Sequence, residues 1–166
     1  MSAVSSVPLP RPASLAMAAL GPVAIGAILA ARVSHLSPLV TTPAIVFGVF
    51  ATTSPALYIA TATTGQAPAL GAMMRAFGAA IGAFGIVLAG LVLPAAFLSL
   101  TSTAATTTFA VTSLALVAAA VLALWRLSAE LALKGATTWW VYLVWSVATL
   151  GIAGRLWWDL AAEVIS

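Results

Sequence analysis

The feature that most constrains this chain is a series of long stretches that contain no charged residue. A helix needs roughly 20 apolar residues to cross the hydrocarbon core of a bilayer. Five stretches of about that length occur, at about 13–31, 38–62, 76–98, 105–127 and 137–158. They are separated by charges, prolines and hydroxyl-rich turns. The expected fold is therefore all-α: a polytopic transmembrane helix bundle with five spans.

The composition supports a membrane protein and excludes several other classes. Of the 166 residues, 63% are hydrophobic and only 5% are charged, whereas a soluble domain carries about a quarter charged residues. The six basic and three acidic side chains are too few to form the basic surface that binds nucleic acid. With no cysteine and one histidine, thiolate and multi-histidine metal sites are also excluded, and no cofactor is expected.

The first span, residues 13–31, is the least certain because it is short and is interrupted by Gly21-Pro22. It follows a proline-rich leader, residues 1–12, which is expected to be cytoplasmic. A cleavable signal peptide is an alternative, but the small-x-small cleavage pattern around residues 29–31 is poor. We expect a spanning or a re-entrant segment. If it does not cross, the single domain of residues 13–166 has four spans.

The basic residues predict the orientation, because short cytoplasmic loops carry an excess of Lys and Arg. With five spans, four basic residues fall on the N-terminal side and two on the other, namely Arg11, Arg75, Arg126 and Lys134 against Arg32 and Arg155. This distribution predicts a cytoplasmic N-terminus, and the alanine- and arginine-rich composition favours a bacterial inner membrane. With four spans the count is three against three and predicts no orientation.

Tryptophan pairs mark both ends of the fifth span. Trp139 and Trp140 begin it, and Trp157 and Trp158 end it. At about 1.5 Å per residue these pairs are roughly 27 Å apart, which matches the hydrocarbon thickness. All four are expected to be interfacial anchors, whereas Trp145, in the middle of the span, is expected to lie in the core.

The third span carries a set of glycines along one side, Gly78, Gly82 and Gly85. Gly78 and Gly82 form a GxxxG pair, which allows another helix to approach closely. We expect the neighbour to be another helix of the same chain, with a dimerisation face as the alternative. Arg75 precedes this span and is expected to anchor it by snorkelling to the headgroups, or else to bind an acidic partner.

Prolines lie inside three spans, at Pro22, Pro43, Pro55 and Pro94. Each removes a backbone hydrogen bond and frees a carbonyl, which the hydroxyls of residues 52–54 could satisfy in the second span. Structural bends are the expected result. The alternative is a transport site, in which the same hydroxyls would face an aqueous cavity.

The sequence contains no recognisable catalytic set. The only carboxylates, Glu130, Asp159 and Glu163, lie near span ends, and Glu130 falls at i,i+4 between Arg126 and Lys134. That spacing predicts a fourth helix extending to Lys134, where Gly135 would provide a left-handed cap. No carboxylate dyad or nucleophile with a base is present, so no enzymatic activity is expected.

The order of elements from Pro38 onward resembles the Yip family. A proline-containing second span with Ser54-Pro55-Ala56-Leu57-Tyr58 is followed by a turn at Gly65, then Arg75, Pro94 and a Ser/Thr turn. The resemblance covers about residues 38–158. It implies a five-span fold with a cytoplasmic N-terminus. Eukaryotic members are named as Rab-GTPase interactors and have a long cytoplasmic N-terminal region. Only about a dozen residues precede the first span here, so no GTPase interaction is expected and no functional residue is carried over.

These observations favour a non-catalytic accessory or scaffolding subunit of a membrane protein assembly. Its partners would be the lipid bilayer and either other integral membrane subunits or copies of itself. One alternative is a small oligomeric transporter or channel module. A second is a cofactor- or pigment-associated subunit of an energy-transducing complex.

Overall fold

The computed structural model describes residues 11–33, 35–65, 68–131 and 135–165. Within them the chain forms five helices and no strand: α1 (Arg11–Val33), α2 (Ser37–Thr63), α3 (Leu70–Thr101), α4 (Ala105–Leu131) and α5 (Ala136–Ile165). Helices α2 to α5 are long and apolar enough to cross a membrane, and α1 contributes the apolar segment Ala18–Val33. The predicted all-α, multi-pass bundle is confirmed. Most of the leader and Lys134 lie outside the described residues.

The helices extend beyond the predicted spans. Helix α3 has 32 residues and is about 48 Å long, which exceeds the hydrocarbon thickness. Arg75 therefore lies inside this helix, although the sequence analysis placed it before the span. Two glycines between helices have positive φ, 70° at Gly65 and 86° at Gly135. Gly135 thus adopts the predicted left-handed conformation, which costs a glycine little.

Successive helices run in opposite directions, because each connection is short. One end of the bundle, which we call the Arg32 end, therefore holds Val33, Ser37, Thr101, Ala105 and Ile165. The other, the Arg75 end, holds Thr63, Leu70, Leu131 and Ala136. The most extensive pairing is α3 with α4, followed by α1 with α3, α1 with α2 and α2 with α5. Helices α4 and α5 pack less extensively on each other.

Helix α1 is a continuous helix in contact with both α2 and α3. Ile25 and Leu29 are fully buried. Buried small residues recur every four positions along one side of this helix, at Ala18, Pro22, Gly26 and Ala30. The bundle thus has four helices that are long and apolar enough to span and a fifth, α1, whose apolar segment is shorter, so the choice between a spanning and a re-entrant α1 stays a prediction.

The outer surface of the bundle is apolar. Leu93, Leu100 and Leu114 expose 78%, 85% and 71% of their surface, and Val147 exposes 70%. Exposure of such a surface to water is unfavourable in free energy, whereas its contact with hydrocarbon is not. The architecture is that of an integral membrane protein.

Candidate functional site

An apolar cavity of about 310 Å³ lies between α4 and α5, and residues of α2 and α3 form its floor. Phe50 and Phe84 contribute to the floor, and Ala120 and Ala153 to the walls. Val117 and Val121 also line it, although they are more than half exposed. Lining residues that are also exposed show that the cavity opens sideways between the two helices, toward the hydrocarbon.

Aromatic contacts join α4 and α5 at the Arg32 end of the cavity. The indole Nε1 of Trp157 donates to Ser113 Oγ at 2.7 Å. The Trp157 ring also stacks on Phe109, with ring centroids 5.3 Å apart. Because Trp157 lines the cavity itself, this hydrogen-bonded stack closes one end.

A second set of contacts joins the helices toward the Arg75 end. Tyr142 Oη donates to the carbonyl of Leu124, and the Tyr142 ring lies 6.0 Å from that of Trp145. Trp145 is buried and donates from Nε1 to the carbonyl of Thr53 in α2 at 2.7 Å. The expectation that Trp145 belongs to the core is confirmed, and it forms the second end of the cavity.

The lining carries two hydroxyls besides the indole groups. Ser113 Oγ is engaged, since it donates to the Phe109 carbonyl at 2.6 Å and accepts from Trp157. Thr149 Oγ1 is buried and has no hydrogen-bond partner among the described residues. The described residues that line the cavity include no charged side chain, and such a lining suits an apolar or weakly polar molecule.

The predicted glycine set of α3 divides between two environments. Gly85 is buried, whereas Gly78 is exposed and Gly82 half-buried. A Cβ added at Gly78 or Gly82 would meet no described heavy atom within 4 Å. The expectation that another helix of this chain packs on the GxxxG pair therefore does not hold. In this bundle the close helix approaches are on α1, whereas Gly78 faces outward and Gly82 is half-buried.

The close approach that sequence reasoning missed is at Gly26. A Cβ there would lie 2.5 Å from the Pro38 carbonyl oxygen and 2.9 Å from Leu39 Cα, so the backbones of α1 and α2 nearly touch. Gly21 similarly faces the Leu88 side chain of α3. The signal was available in the small residues of α1, which recur four apart.

The hydroxyls around Pro55 bond to their own helix. Thr52 Oγ1 donates to Gly48 O at 2.8 Å, and Thr53 Oγ1 to Val49 O at 2.8 Å. Ser54 Oγ donates to Phe50 O at 2.5 Å. Because proline has no N–H, Pro55 leaves the carbonyl of residue 51 without its helical hydrogen bond, and the three hydroxyls bond earlier carbonyls instead. None of the three hydroxyl residues lines the apolar cavity. The three hydroxyls thus bond carbonyls other than the one that Pro55 frees, and the alternative that they line an aqueous path stays a prediction.

Arg32 caps a helix to which it does not belong. Its Nη2 donates to the carbonyl of Ser99 at 2.6 Å and to that of Ser102, and its Nε donates to Thr108 Oγ1 at 3.2 Å. Helix α3 has no basic residue in its own last turn. A cation beside its unpaired C-terminal carbonyls is favourable. Sequence reasoning used Arg32 only as an orientation charge and missed this role.

The four tryptophans predicted to be interfacial anchors lie in two different environments. Trp139, Trp140 and Trp158 are 45%, 65% and 68% exposed, as an anchor requires. Trp157 instead packs inward on α4. Arg75 is exposed on α3, which is compatible with the snorkelling that was expected of it.

Four of the exposed charged residues form two local ion pairs. Arg126 and Glu130 are 2.6 Å apart, and Arg155 and Asp159 are 3.2 Å apart, both at i,i+4. His35 Nδ1 lies 2.9 Å from Ser37 Oγ. In the described ranges no three His, Asp or Glu residues come together as a metal site would require.

Comparison with known proteins found no matching family model, no similar curated protein and no solved structure with a similar fold.

Proposed function

We propose that this chain is a non-catalytic accessory or scaffolding subunit of a membrane protein assembly, and that it contacts its partner through the outer side of α3. The observation that carries the proposal is the open space at Gly78 and Gly82. In hydrocarbon, helices associate by close backbone packing at small residues instead of by hydrophobic burial. A GxxxG pair that no helix of the same chain covers offers such a surface to another integral membrane subunit or to a second copy.

Arg75 adds a charge to the same side of α3. It precedes Gly78 by three residues and Gly82 by seven, which places the three on one helical stripe. Its guanidinium has no ion pair among the described residues. An acidic group on the partner, near the headgroups, would complete the contact.

The test replaces both glycines by leucine, as Gly78→Leu with Gly82→Leu, and uses Gly48→Leu as the matched control. Gly48 is exposed on α2 and, like the pair, has open space at its Cβ. After mild-detergent extraction from the native membrane, native mass spectrometry should find the unmodified chain and the control with stoichiometric foreign subunits or as an oligomer. The variant with both Gly78→Leu and Gly82→Leu should be detected as a monomer without partner subunits.

Two outcomes would count against the proposal. If the double variant keeps its partners, the interface lies elsewhere than on α3. If the unmodified chain arrives as a monomer, the accessory role itself is contradicted, and the transporter or channel alternative would be tested next by flux in proteoliposomes.

We further propose a bacterial inner-membrane location with a cytoplasmic N-terminus. The distribution of the basic residues over the two sides of a five-helix bundle supports this orientation. The Yip-family resemblance implies the same orientation and stays a prediction.

The alternative of a cofactor- or pigment-associated subunit is favoured by one observation, the apolar cavity between α4 and α5. An absorbance spectrum of the purified protein tests it. A colourless preparation would remove haem, flavin and chlorophyll together.

A further inference from the structure

We propose that the cavity between α4 and α5 is a lipid site that takes one acyl chain of a bilayer lipid. The two helices touch at Trp157 near one end and at Tyr142 near the other, and they separate between these contacts. An occupant must therefore enter sideways, from the hydrocarbon of the bilayer, where acyl chains are the surrounding solvent. This site goes beyond the proposed docking surface, because neither Gly78 nor Gly82 lines it.

The size of the cavity fits a segment of a lipid acyl chain. At about 310 Å³ it is roughly twice the ~150 Å³ of an engineered apolar cavity that stays dry and binds benzene. An empty space of that size would forfeit the dispersion contacts of its lining. Methylene groups restore those contacts and require no hydrogen-bonding partner from the wall.

The position of the cavity also fits a lipid. Its Arg32 end, at Trp157, lies one residue before the exposed Trp158 and so close to the bilayer interface. Gly154 lines the cavity, and the next residue, Arg155, is largely exposed. A lipid with its chain between α4 and α5 therefore has its headgroup near the exposed Arg155–Asp159 ion pair, whose guanidinium keeps further N–H groups that can donate to a phosphate.

The test uses phosphatidylglycerol that carries a photoactivatable diazirine in the middle of one acyl chain, in vesicles that contain the full chain. Mass spectrometry maps the labelled residues. Labels should concentrate on Leu116, Ala120 and Leu150 inside the cavity. Outward residues of the same helices, such as Leu114 and Val147, report the level of the ordinary lipid shell.

A matched pair of variants separates a site from general lipid contact. Ala153→Phe fills the cavity, whereas Ala148→Phe adds the same ring to the exposed side of α5. Cavity labelling should fall to the outward level in Ala153→Phe and stay unchanged in Ala148→Phe. Native mass spectrometry should show the loss of one bound lipid in the first variant only. Ala120→Phe, on the opposite wall, gives a second filling variant should Ala153→Phe fail to fold.

Three results would overturn the proposal. The first is labelling inside the cavity that equals that on the outward residues, and the second is cavity labelling that persists in the filled variants. The third is that native mass spectrometry finds a bound protein chain, and no bound lipid, that is lost in Ala153→Phe, which would identify a helix instead of a lipid as the occupant. None of these results bears on the Gly78 and Gly82 variants, so the two proposals fail independently.

Discussion

At Gly26 the backbones of α1 and α2 are so close that no side chain fits between them. The hydrogen atom of glycine allows a contact that a methyl group would block, since a Cβ would lie 2.5 Å from a carbonyl oxygen. Glycine is weak in a helix on propensity grounds. Its presence at this position is explained by packing.

Gly26→Ala should therefore destabilise the bundle. Overpacking typically costs about 1–3 kcal/mol, so we expect a loss of that order in the free energy of unfolding, measured by denaturation in mixed detergent micelles. Gly48→Ala is the control, because its Cβ would point into open space. That change should leave stability unchanged or raise it by up to about 1 kcal/mol. Equal stability of the two variants would contradict the close approach.

Arg32 makes a contact of a different kind, because one side chain satisfies carbonyls and a hydroxyl contributed by α3, α4 and their connection. Hydrogen bonds to a charged donor contribute about 1.5–3 kcal/mol. Arg32→Gln should lower the free energy of unfolding by about this amount in the same assay. Arg155→Gln, which removes an exposed i,i+4 ion pair, should cost less than about 1 kcal/mol. If Arg32→Gln and Arg155→Gln lower the free energy of unfolding by the same amount, Arg32 does not act as a cap of α3.

At the scale of the helical element, α4 and α5 are joined by a few specific contacts instead of a continuous interface. Helices α3 and α4 pack extensively along their length. The pairing of α4 with α5 depends instead on Trp157 with Phe109 and Ser113, and on Tyr142 with Leu124. Such a pairing leaves room for the cavity between the contacts.

Two neighbouring tryptophans of α5 provide the test of this pairing. Trp157→Phe removes the hydrogen bond to Ser113, and interhelical hydrogen bonds in membranes contribute about 0.6 kcal/mol on average. We expect a loss of that order in the free energy of unfolding, with faster hydrogen exchange at the ends of α5. Trp158→Phe affects a ring that is 68% exposed and should leave both measurements unchanged. If Trp158→Phe lowered the free energy of unfolding more than Trp157→Phe does, the pairing of α4 with α5 would not depend on Trp157.

At the scale of the whole molecule, the number of spans decides which ends share a side of the membrane. If all five helices cross, Thr101 and Ala105 lie on the opposite side from the start of α1, and Thr63 and Leu70 lie on the same side as it. Helix α1 alone determines this parity, and it is the helix whose apolar segment is shortest.

Because the chain has no cysteine, single cysteines can report this topology directly. In intact cells, a membrane-impermeant maleimide should label Thr103→Cys, whose position is exposed at the Arg32 end. Ala69→Cys, exposed at the Arg75 end, should react only after permeabilisation. The reverse pattern would overturn the proposed orientation. Labelling of both sites in sealed cells would indicate two populations.

The sequence by itself determined the helical class, the approximate spans, the left-handed Gly135 and the core position of Trp145. These features depend on local properties: the length of an apolar run, the absence of a Cβ and the depth of a residue within a span. Only the tertiary structure decided which glycines pack, that Trp157 turns inward, and that Arg32 caps α3. The cavity likewise required the structure, because the middle parts of α4 and α5 contain no charged residue. Such a sequence does not record which face of a helix contacts protein and which contacts lipid.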